Sequence, residues 1–120
     1  MTKEQHLTFW RLLLAMATTF AITMALLPTP PQLNGVGDKW QHMTAFATLT
    51  LLSLLAYPKA PLLRIAERLS FLGALIEVAQ SIPILHRDCD IMDWIADTAA
   101  ILAVVALAGL FRRVRGDAAP

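Results

Sequence analysis

Apolar residues collect into four long stretches that are separated by short polar or proline-containing segments. These stretches cover residues 9–27, 39–57, 69–85 and 90–111. A helix needs about 17–25 predominantly apolar residues to cross the hydrocarbon core of a bilayer, and each stretch reaches that length. The pattern therefore predicts an all-α integral membrane protein of one domain, residues 1–120, with four transmembrane helices in an antiparallel bundle.

Helix-breaking residues mark the boundaries between the stretches. Residues 28–37 contain three prolines and two glycines and predict a loop. Asp38, with a glutamine three residues later, resembles a capping box and predicts that the second helix begins there. Pro58 and Pro61 are expected to end that helix, so residues 59–68 are predicted to form a connector.

A cleaved signal peptide is the competing interpretation of the first stretch, because Lys3 and Arg11 lie at its start. The apolar run is long, however, and it ends at Pro28 rather than at a small-x-small cleavage site. These features favour an uncleaved first transmembrane helix.

The composition agrees with a membrane protein. Hydrophobic residues make up 57% of the chain and charged residues 16%, with a mean hydropathy of +0.57, whereas soluble domains have about 45–50% apolar and about 25% charged residues. The net charge of +1 by itself says nothing about nucleic acid, but no basic stripe with aromatic residues appears. No nucleic-acid partner is therefore expected, and the expected partner is the lipid membrane. The single Cys89 excludes an internal disulfide and a cysteine-based zinc cluster.

Lysines and arginines are distributed unevenly between the two sides of the predicted bundle. With a cytoplasmic N terminus, Lys39 and Arg87 lie outside the cell. The positive-inside rule therefore predicts a multi-pass protein of the bacterial cytoplasmic (inner) membrane, with both termini in the cytoplasm. The basic residues that would then lie inside are Lys3, Arg11, Lys59, Arg64, Arg68, Arg112, Arg113 and Arg115.

Ionisable residues interrupt the third and fourth stretches near their outer ends. Glu77 and Gln80 share one face of the third helix, and Asp90, Asp93 and Asp97 lie along one face of the fourth. Capping and the helix dipole offer a structural role for Asp90 and Asp93. Glu77 and Asp97 are expected about 12 and 10 Å below the outer boundary from the helical rise. Carboxylates at such depth usually mark a functional site.

His42 is expected about 6 Å deep in the second helix, so side chains from three helices could meet in one outward-facing pocket. Carboxylates in such excess cannot all stay ionised and unpaired in an apolar environment. Protonation, pairing with His42 or Arg87, or a bound divalent cation would each reduce the excess charge. A histidine, two or three carboxylates and Gln80 suit a hard cation better than zinc.

These residues resemble the linked motif of the VanZ-like family, small bacterial membrane proteins named for a teicoplanin-resistance factor. The chain departs from the family pattern at Asp97, where asparagine is usual, and at Ala100, where glycine is usual. The resemblance covers about residues 35–110 and implies ligand-binding roles for the signature residues. Asp97 is added to the predicted ligand-binding residues because of its expected depth. The signature residues are Asp38, Lys39, His42, Glu77, Gln80, Arg87, Asp90 and Asp93.

The leading interpretation is a VanZ-like envelope protein whose outward-facing polar pocket binds a lipid headgroup or a glycopeptide-like ligand. A link to teicoplanin resistance is implied by the resemblance alone. In this interpretation Arg87 clamps a phosphate or carboxylate, and Asp90 and Asp93 hold Arg87 in place. The residues expected to orient the ligand are His42, Glu77 and Gln80.

Two alternatives stay open. A membrane enzyme acting on a lipid-linked envelope substrate would use His42, with Glu77 or Asp97, for general acid–base catalysis, with or without a divalent cation. A structural or accessory membrane protein would use the same polar residues for helix packing or for contact with a partner.

Overall fold

The computed structural model describes residues 1–27, 36–83 and 90–116, with only the backbone described for residues 36–39. Most of this part of the chain is helical, and no strand occurs among the described residues. The all-α prediction and the prediction of a helix for each apolar stretch are confirmed. The helices are α1 (Lys3–Leu26), α2 (Val36–Ala56), α3 (Leu62–Gln80) and α4 (Ile91–Val114).

The first two helices begin earlier than the hydropathy pattern indicated. α1 begins at Lys3 because Thr2 and Gln5 form a capping box, in which each side-chain oxygen accepts a hydrogen bond from the other residue's amide. α2 begins at Val36, so the predicted cap residue Asp38 lies inside the first turn. Lysine, glutamate and glutamine favour helices while they lower hydropathy, which explains the early start of α1.

The predicted third span, residues 69–85, is shifted relative to the helix that forms. α3 begins at Leu62, directly after Pro61, so the predicted connector is helical from that point. The charged residues of this segment favour helices, although their low hydropathy indicated a connector. The helix ends at Gln80, and Pro83 accounts for this because a proline disfavours helical backbone at the residue before it.

α4 begins directly after its predicted cap. Asp90 has extended backbone, and its carboxylate accepts a hydrogen bond of 3.0 Å from the Met92 amide. The helix continues to Val114, slightly beyond the predicted end at residue 111. Arg112 and Arg113 lie in the last turn, where their charge complements the helix dipole.

Contacts at one end of the bundle bring together the start of α1 and the ends of α2 and α4. The Arg11 guanidinium of α1 donates to the Ala56 carbonyl at the end of α2 (3.0 Å) and stacks on the Tyr57 ring at 4.6 Å. Arg112 of α4 donates to the Pro58 carbonyl (3.4 Å). We name this the arginine end, and its helix termini are Lys3, Ala56, Leu62 and Val114.

Contacts at the opposite end join α1, α3 and α4. The Gln80 side chain at the end of α3 donates to the Ala25 carbonyl near the end of α1 (2.8 Å), and the Asp90 amide donates to Glu77 Oε2 (3.0 Å). Consecutive helices therefore run in opposite directions. We name this the carboxylate end, and its helix termini are Leu26, Val36, Gln80 and Ile91.

The bundle exposes many large apolar side chains and buries several polar ones within its apolar core. Large apolar side chains are exposed on every helix, for example Phe20, Leu51, Phe71 and Leu107. Soluble monomers rarely expose contiguous apolar patches larger than a few hundred Å². The interior, besides its apolar core, contains the buried polar residues His42, Thr50, Ser53, Glu77, Gln80, Asp93 and Asp97.

Two of the helices, α1 and α4, are long and apolar enough to cross a membrane. The other two carry more polar residues. α3 contains Arg64, Glu67 and Arg68 in its first half and Glu77 near its end, so its mean hydropathy is low although its length is similar. The polar residues that lower the hydropathy of α2 and α3 include those that meet inside the carboxylate end.

Gly73 allows α3 to approach α2 and α4 closely. A Cβ at this position would lie 3.4 Å from Trp94 Cδ1 and 3.5 Å from Phe46 Cζ, which leaves room for alanine but not for a longer side chain. We expect Gly73→Ala to leave thermal unfolding in detergent nearly unchanged. Gly73→Leu should lower the free energy of unfolding by about 1–3 kcal/mol because the site is overpacked.

Gly109→Leu is the matched control, because a Cβ there would meet the flexible Leu62 side chain at 3.4 Å rather than two aromatic rings. Thermal unfolding of the purified variants is the measurement. An unfolding temperature for Gly73→Leu equal to that of the wild type would contradict the close packing at this site.

Candidate functional site

Side chains from three helices meet inside the carboxylate end. His42 of α2, Glu77 of α3 and Asp93 of α4 each place a nitrogen or oxygen atom within 4.8 Å of the other two. Asp97, about one turn after Asp93, places its Oδ1 3.5 Å from His42 Nδ1. The structure therefore brings together four of the residues that the sequence indicated, and we call them the polar cluster.

The polar cluster is buried although it lies near the helix ends. Its exposed fractions are 9% for His42, 5% for Glu77, 4% for Asp93 and 1% for Asp97. Glu77 lies three residues before the end of α3, which is about 5 Å along the helix axis. The predicted depth of about 12 Å was counted from a helix end at residue 85, whereas α3 ends at Gln80. Neighbouring helices, rather than distance from the end, exclude solvent from the cluster.

A hydrogen bond ties the end of α3 to the start of α4. The Asp90 amide donates to Glu77 Oε2 at 3.0 Å, while the Asp90 carboxylate caps α4 through the Met92 amide. The backbone of one helix therefore orients the carboxylate of the other. The backbone amide of Asp90 thus binds a member of the polar cluster. Its side chain caps α4, which is the structural role that the sequence analysis gave as the alternative to ligand binding.

Trp94 and its neighbours fix α4 against α3 beside the polar cluster. The Trp94 indole nitrogen donates to the Ser70 carbonyl (2.9 Å), and the Ser70 and Thr98 hydroxyls are hydrogen-bonded to each other at 2.9 Å. Sequence reasoning missed this contact. The available signal was the spacing of Trp94 and Thr98, which places both on one face of α4, beside the face that carries Asp93 and Asp97.

Gln80 connects α3 to α1. Its Nε2 donates to the Ala25 carbonyl at 2.8 Å, and the whole residue is 1% exposed. Its Oε1 is buried and has no hydrogen-bond partner among the described residues. Gln80 lies one turn after Glu77 on the same face of α3, so a spare oxygen acceptor accompanies the polar cluster.

A groove of about 430 Å³ lies between α1 and α2 in the half of the bundle that contains the polar cluster. Its walls are mostly apolar, with Ala17, Ala21 and Ala25 on the α1 side and Phe46 and Leu49 on the α2 side. The sequence offered a signal for it in the small residues that recur every four positions along α1. His42 also lines the groove.

His42 therefore belongs to two sites at once. It forms part of the groove wall, and its Nδ1 lies 3.5 Å from Asp97 in the polar cluster. A molecule that enters the groove between α1 and α2 would reach the polar cluster through this imidazole.

Three of the predicted ligand-binding residues fall outside the described side chains. Arg87 lies in the segment between residues 83 and 90, and the structure describes Asp38 and Lys39 by their helical backbone alone. Their predicted roles stay predictions.

Two kinds of chemistry fit the polar cluster. A histidine beside a carboxylate can exchange a proton with a bound molecule while the carboxylate orients the ring. One imidazole nitrogen and two carboxylate oxygens, supplied by three different helices, also form a set of donors for a metal ion.

Comparisons of the chain with protein-family models, with curated proteins and with solved structures found no match. The resemblance to the VanZ-like family stays a prediction from the spacing of the residues.

Pairing between His42 and Asp97 can be measured with a double-mutant cycle. We expect His42→Gln and Asp97→Asn to change the free energy of unfolding non-additively, with a coupling of about 0.5–3 kcal/mol, because the two side chains are in contact. Chemical unfolding of the wild type, both single variants and the double variant in detergent provides the values.

The exposed His6 on α1 provides the matched control. His6→Gln combined with Asp97→Asn should give additive changes. Additive changes for the His42 pair as well would mean that His42 and Asp97 do not interact.

Proposed function

We propose that this chain is a four-span protein of the bacterial cytoplasmic membrane, VanZ-like in its motif, whose polar cluster binds the headgroup of a lipid or lipid-linked envelope ligand. The observation that carries the proposal is the position of His42. It lines an apolar groove on one side and contacts a buried carboxylate on the other, as a site for a molecule with an apolar chain and a polar head requires.

The surface of the bundle supports a membrane setting for all four helices. Apolar side chains face outward on α2 and α3 as well as on α1 and α4. α2 has 21 residues and α3 has 19, which correspond to about 31 and 28 Å of helix. The hydrocarbon core of a bilayer is about 30 Å thick, so the two more polar helices fit it by length.

The charge distribution supports an orientation with the carboxylate end outside the cell. Every described lysine or arginine side chain lies in the half of the bundle that holds the arginine end. The positive-inside rule places such an end in the cytoplasm. Both termini would then be cytoplasmic, and the polar cluster would open toward the outer leaflet.

The size and lining of the groove support a ligand with a hydrocarbon chain. A volume of about 430 Å³ falls in the range of about 300–1,000 Å³ that is typical of small-molecule sites. Its alanine-rich α1 wall offers no polar group for a hydrophilic ligand. The headgroup would lie beside His42, and the sequence-based role of Arg87, to clamp a phosphate or carboxylate, completes the proposal.

A second candidate, a membrane enzyme, is favoured by the distance of 3.5 Å between His42 Nδ1 and Asp97 Oδ1. In such an enzyme Asp97 would orient the imidazole, and His42 would transfer a proton to or from a lipid-linked substrate in the groove. The enzyme would be favoured over the binding protein if the wild type turns over a lipid-linked substrate and His42→Gln abolishes this turnover but still binds lipid.

The proposed orientation can be tested by thiol labelling in intact cells. In a background where Cys89 is replaced by serine, a cysteine at Asn34 should react with a membrane-impermeant maleimide, and a cysteine at Ala60 should react only after the cells are lysed. This result follows from the basic residues near position 60. Labelling of position 60 but not of position 34 in intact cells would mean that the polar cluster faces the cytoplasm.

Filling the groove should displace a bound lipid. We expect Ala21→Phe to reduce the phosphatidylglycerol or polyprenyl phosphate retained by the purified protein by roughly tenfold or more, which corresponds to about 1.4 kcal/mol of lost affinity. Native mass spectrometry of protein in mild detergent measures the retained lipid. Glu77→Gln should reduce retention without reducing the amount of protein in the membrane.

Ala15→Phe is the matched control, because Ala15 is exposed on α1 and does not line the groove. It should leave lipid retention unchanged. Equal retention by the wild type, Ala21→Phe and Glu77→Gln would contradict the proposed site and favour a purely structural role for the polar cluster.

A further inference from the structure

Three donor atoms from three helices lie close enough together to share one metal ion. His42, Glu77 and Asp93 contribute one atom each, and all three atoms lie within 4.8 Å of one another. We propose that these residues bind a divalent transition-metal ion, of the class of Mn²⁺ or Zn²⁺, and that this ion contacts the anionic part of the bound headgroup.

The spacing of the donors fits an ion between them. Metal–ligand distances are about 2.0–2.2 Å for zinc and up to about 2.6 Å for calcium, so two ligands on opposite sides of one ion are separated by about 4–5 Å. The observed limit of 4.8 Å therefore allows an ion with small movements of the side chains. Each donor comes from a different helix, so an ion would also hold α2, α3 and α4 together at this end.

Asp97 lies in the position that the hydrogen-bond partner of a metal-bound histidine usually occupies. Histidine ligands almost always donate their second ring nitrogen to a carboxylate, a carbonyl or a water, which fixes the ring and raises its basicity. His42 Nδ1 lies 3.5 Å from Asp97 Oδ1, and Asp97 is 1% exposed. With Nδ1 beside Asp97, Nε2 would be the nitrogen that binds the ion. This arrangement is independent of the spacing of the three donors.

The chemistry of the donors selects among ions. Carboxylates bind Mg²⁺, Ca²⁺ and Mn²⁺, whereas imidazole suits first-row transition metals and zinc. The sequence favoured a hard cation over zinc when up to three carboxylates and Gln80 were counted as ligands. The three donors that the structure brings together are one imidazole and two carboxylates, a set that favours Mn²⁺ or Zn²⁺ over Mg²⁺ or Ca²⁺. The buried Gln80 Oε1, which has no hydrogen-bond partner among the described residues, lies one turn after Glu77 and offers a neutral oxygen nearby.

A cation at this place would also give the proposed ligand its contact. An anionic headgroup meets three buried carboxylates at the end of the groove, which alone would repel it. An ion held by Glu77 and Asp93 would neutralise their charge and leave coordination positions for a phosphate or carboxylate oxygen. This part of the inference rests on the proposed function, whereas ion binding itself does not.

The experiment measures metal binding to the tag-free, full-length protein, purified in detergent and freed of metal with a chelator. Isothermal titration calorimetry and thermal unfolding are recorded with Mn²⁺, Zn²⁺, Mg²⁺ and Ca²⁺ in the absence of added lipid. We expect one Mn²⁺ or Zn²⁺ per chain, a higher unfolding temperature on binding, and at least tenfold weaker binding of Mg²⁺ and Ca²⁺.

The variants give different expected losses. Glu77→Gln and Asp93→Asn should each remove the binding. His42→Gln should weaken Mn²⁺ binding and reduce its advantage over Mg²⁺, and it should remove the nitrogen coupling from the electron paramagnetic resonance spectrum of bound Mn²⁺. Asp97→Asn, which alters only the partner of the histidine, should weaken binding by about 10–100-fold.

Two exposed positions provide matched controls, since Glu67→Gln on α3 and His6→Gln on α1 make the same chemical changes on the surface. Both should bind like the wild type. Absence of Mn²⁺ and Zn²⁺ binding by the wild type would overturn the inference, as would binding that persists in Glu77→Gln and Asp93→Asn or that disappears in His6→Gln. If a carboxylate variant does not fold, metal binding by His42→Gln and Asp97→Asn is the test, and wild-type binding by both variants would overturn the inference.

The metal site and the proposed function can fail separately. If Ala21→Phe reduces lipid retention but the wild type binds no metal, the proposed function is supported and the metal site is overturned. If the protein binds metal but retains no lipid with a phosphate headgroup, the metal site is supported and its role in headgroup binding is overturned.

Discussion

The burial of ionisable side chains between apolar helices is the constraint on which the rest of this structure depends. A carboxylate loses favourable hydration when it is buried, and it must regain that free energy from hydrogen bonds, a cation or protonation. Here the Asp90 amide donates to Glu77, and His42 lies beside Asp97. Both contacts join different helices, so the polar cluster also fixes how the ends of the helices meet.

The same constraint connects local sequence to the groove. Gly73 lets α3 come close to Trp94 and Asp97, and Gln80 attaches α3 to the end of α1. α1 has no fully buried residue, and a groove lies between it and α2. The groove is mostly apolar along its walls and reaches the polar cluster at His42. This combination is what favours a ligand with an apolar chain over a purely structural role.

The sequence predicted the cluster better than it predicted the helix boundaries. Glu77, Asp93 and Asp97 were identifiable because carboxylates at helical spacing inside apolar stretches are costly, and the structure buries all three. The start of α3 at Leu62 was missed, because the charged residues that follow it lower hydropathy although they favour helix. Hydropathy reports the environment of a segment, whereas helix formation depends on backbone preference and capping.

The groove and the pairing of His42 with Asp97 could not be derived from the sequence for a different reason. Both depend on the rotation and distance of packed helices, which periodicity leaves undetermined. Periodicity places Asp97 on the same face of α4 as Asp93, but it does not say which residue of α2 faces that side. The alanines of α1 pack against the core and also line the groove, and their four-residue spacing does not distinguish these two environments.

A structure of the protein in a phospholipid bilayer disc would test most directly whether the polar cluster is a ligand site entered from the groove. The predicted result is continuous density for a hydrocarbon chain between α1 and α2, past Ala21 and Ala45, with its polar head within hydrogen-bonding distance of His42 or of an ion bound beside it. A groove that is closed or empty in the bilayer, with the cluster residues bonded only to one another, would contradict a ligand-binding function.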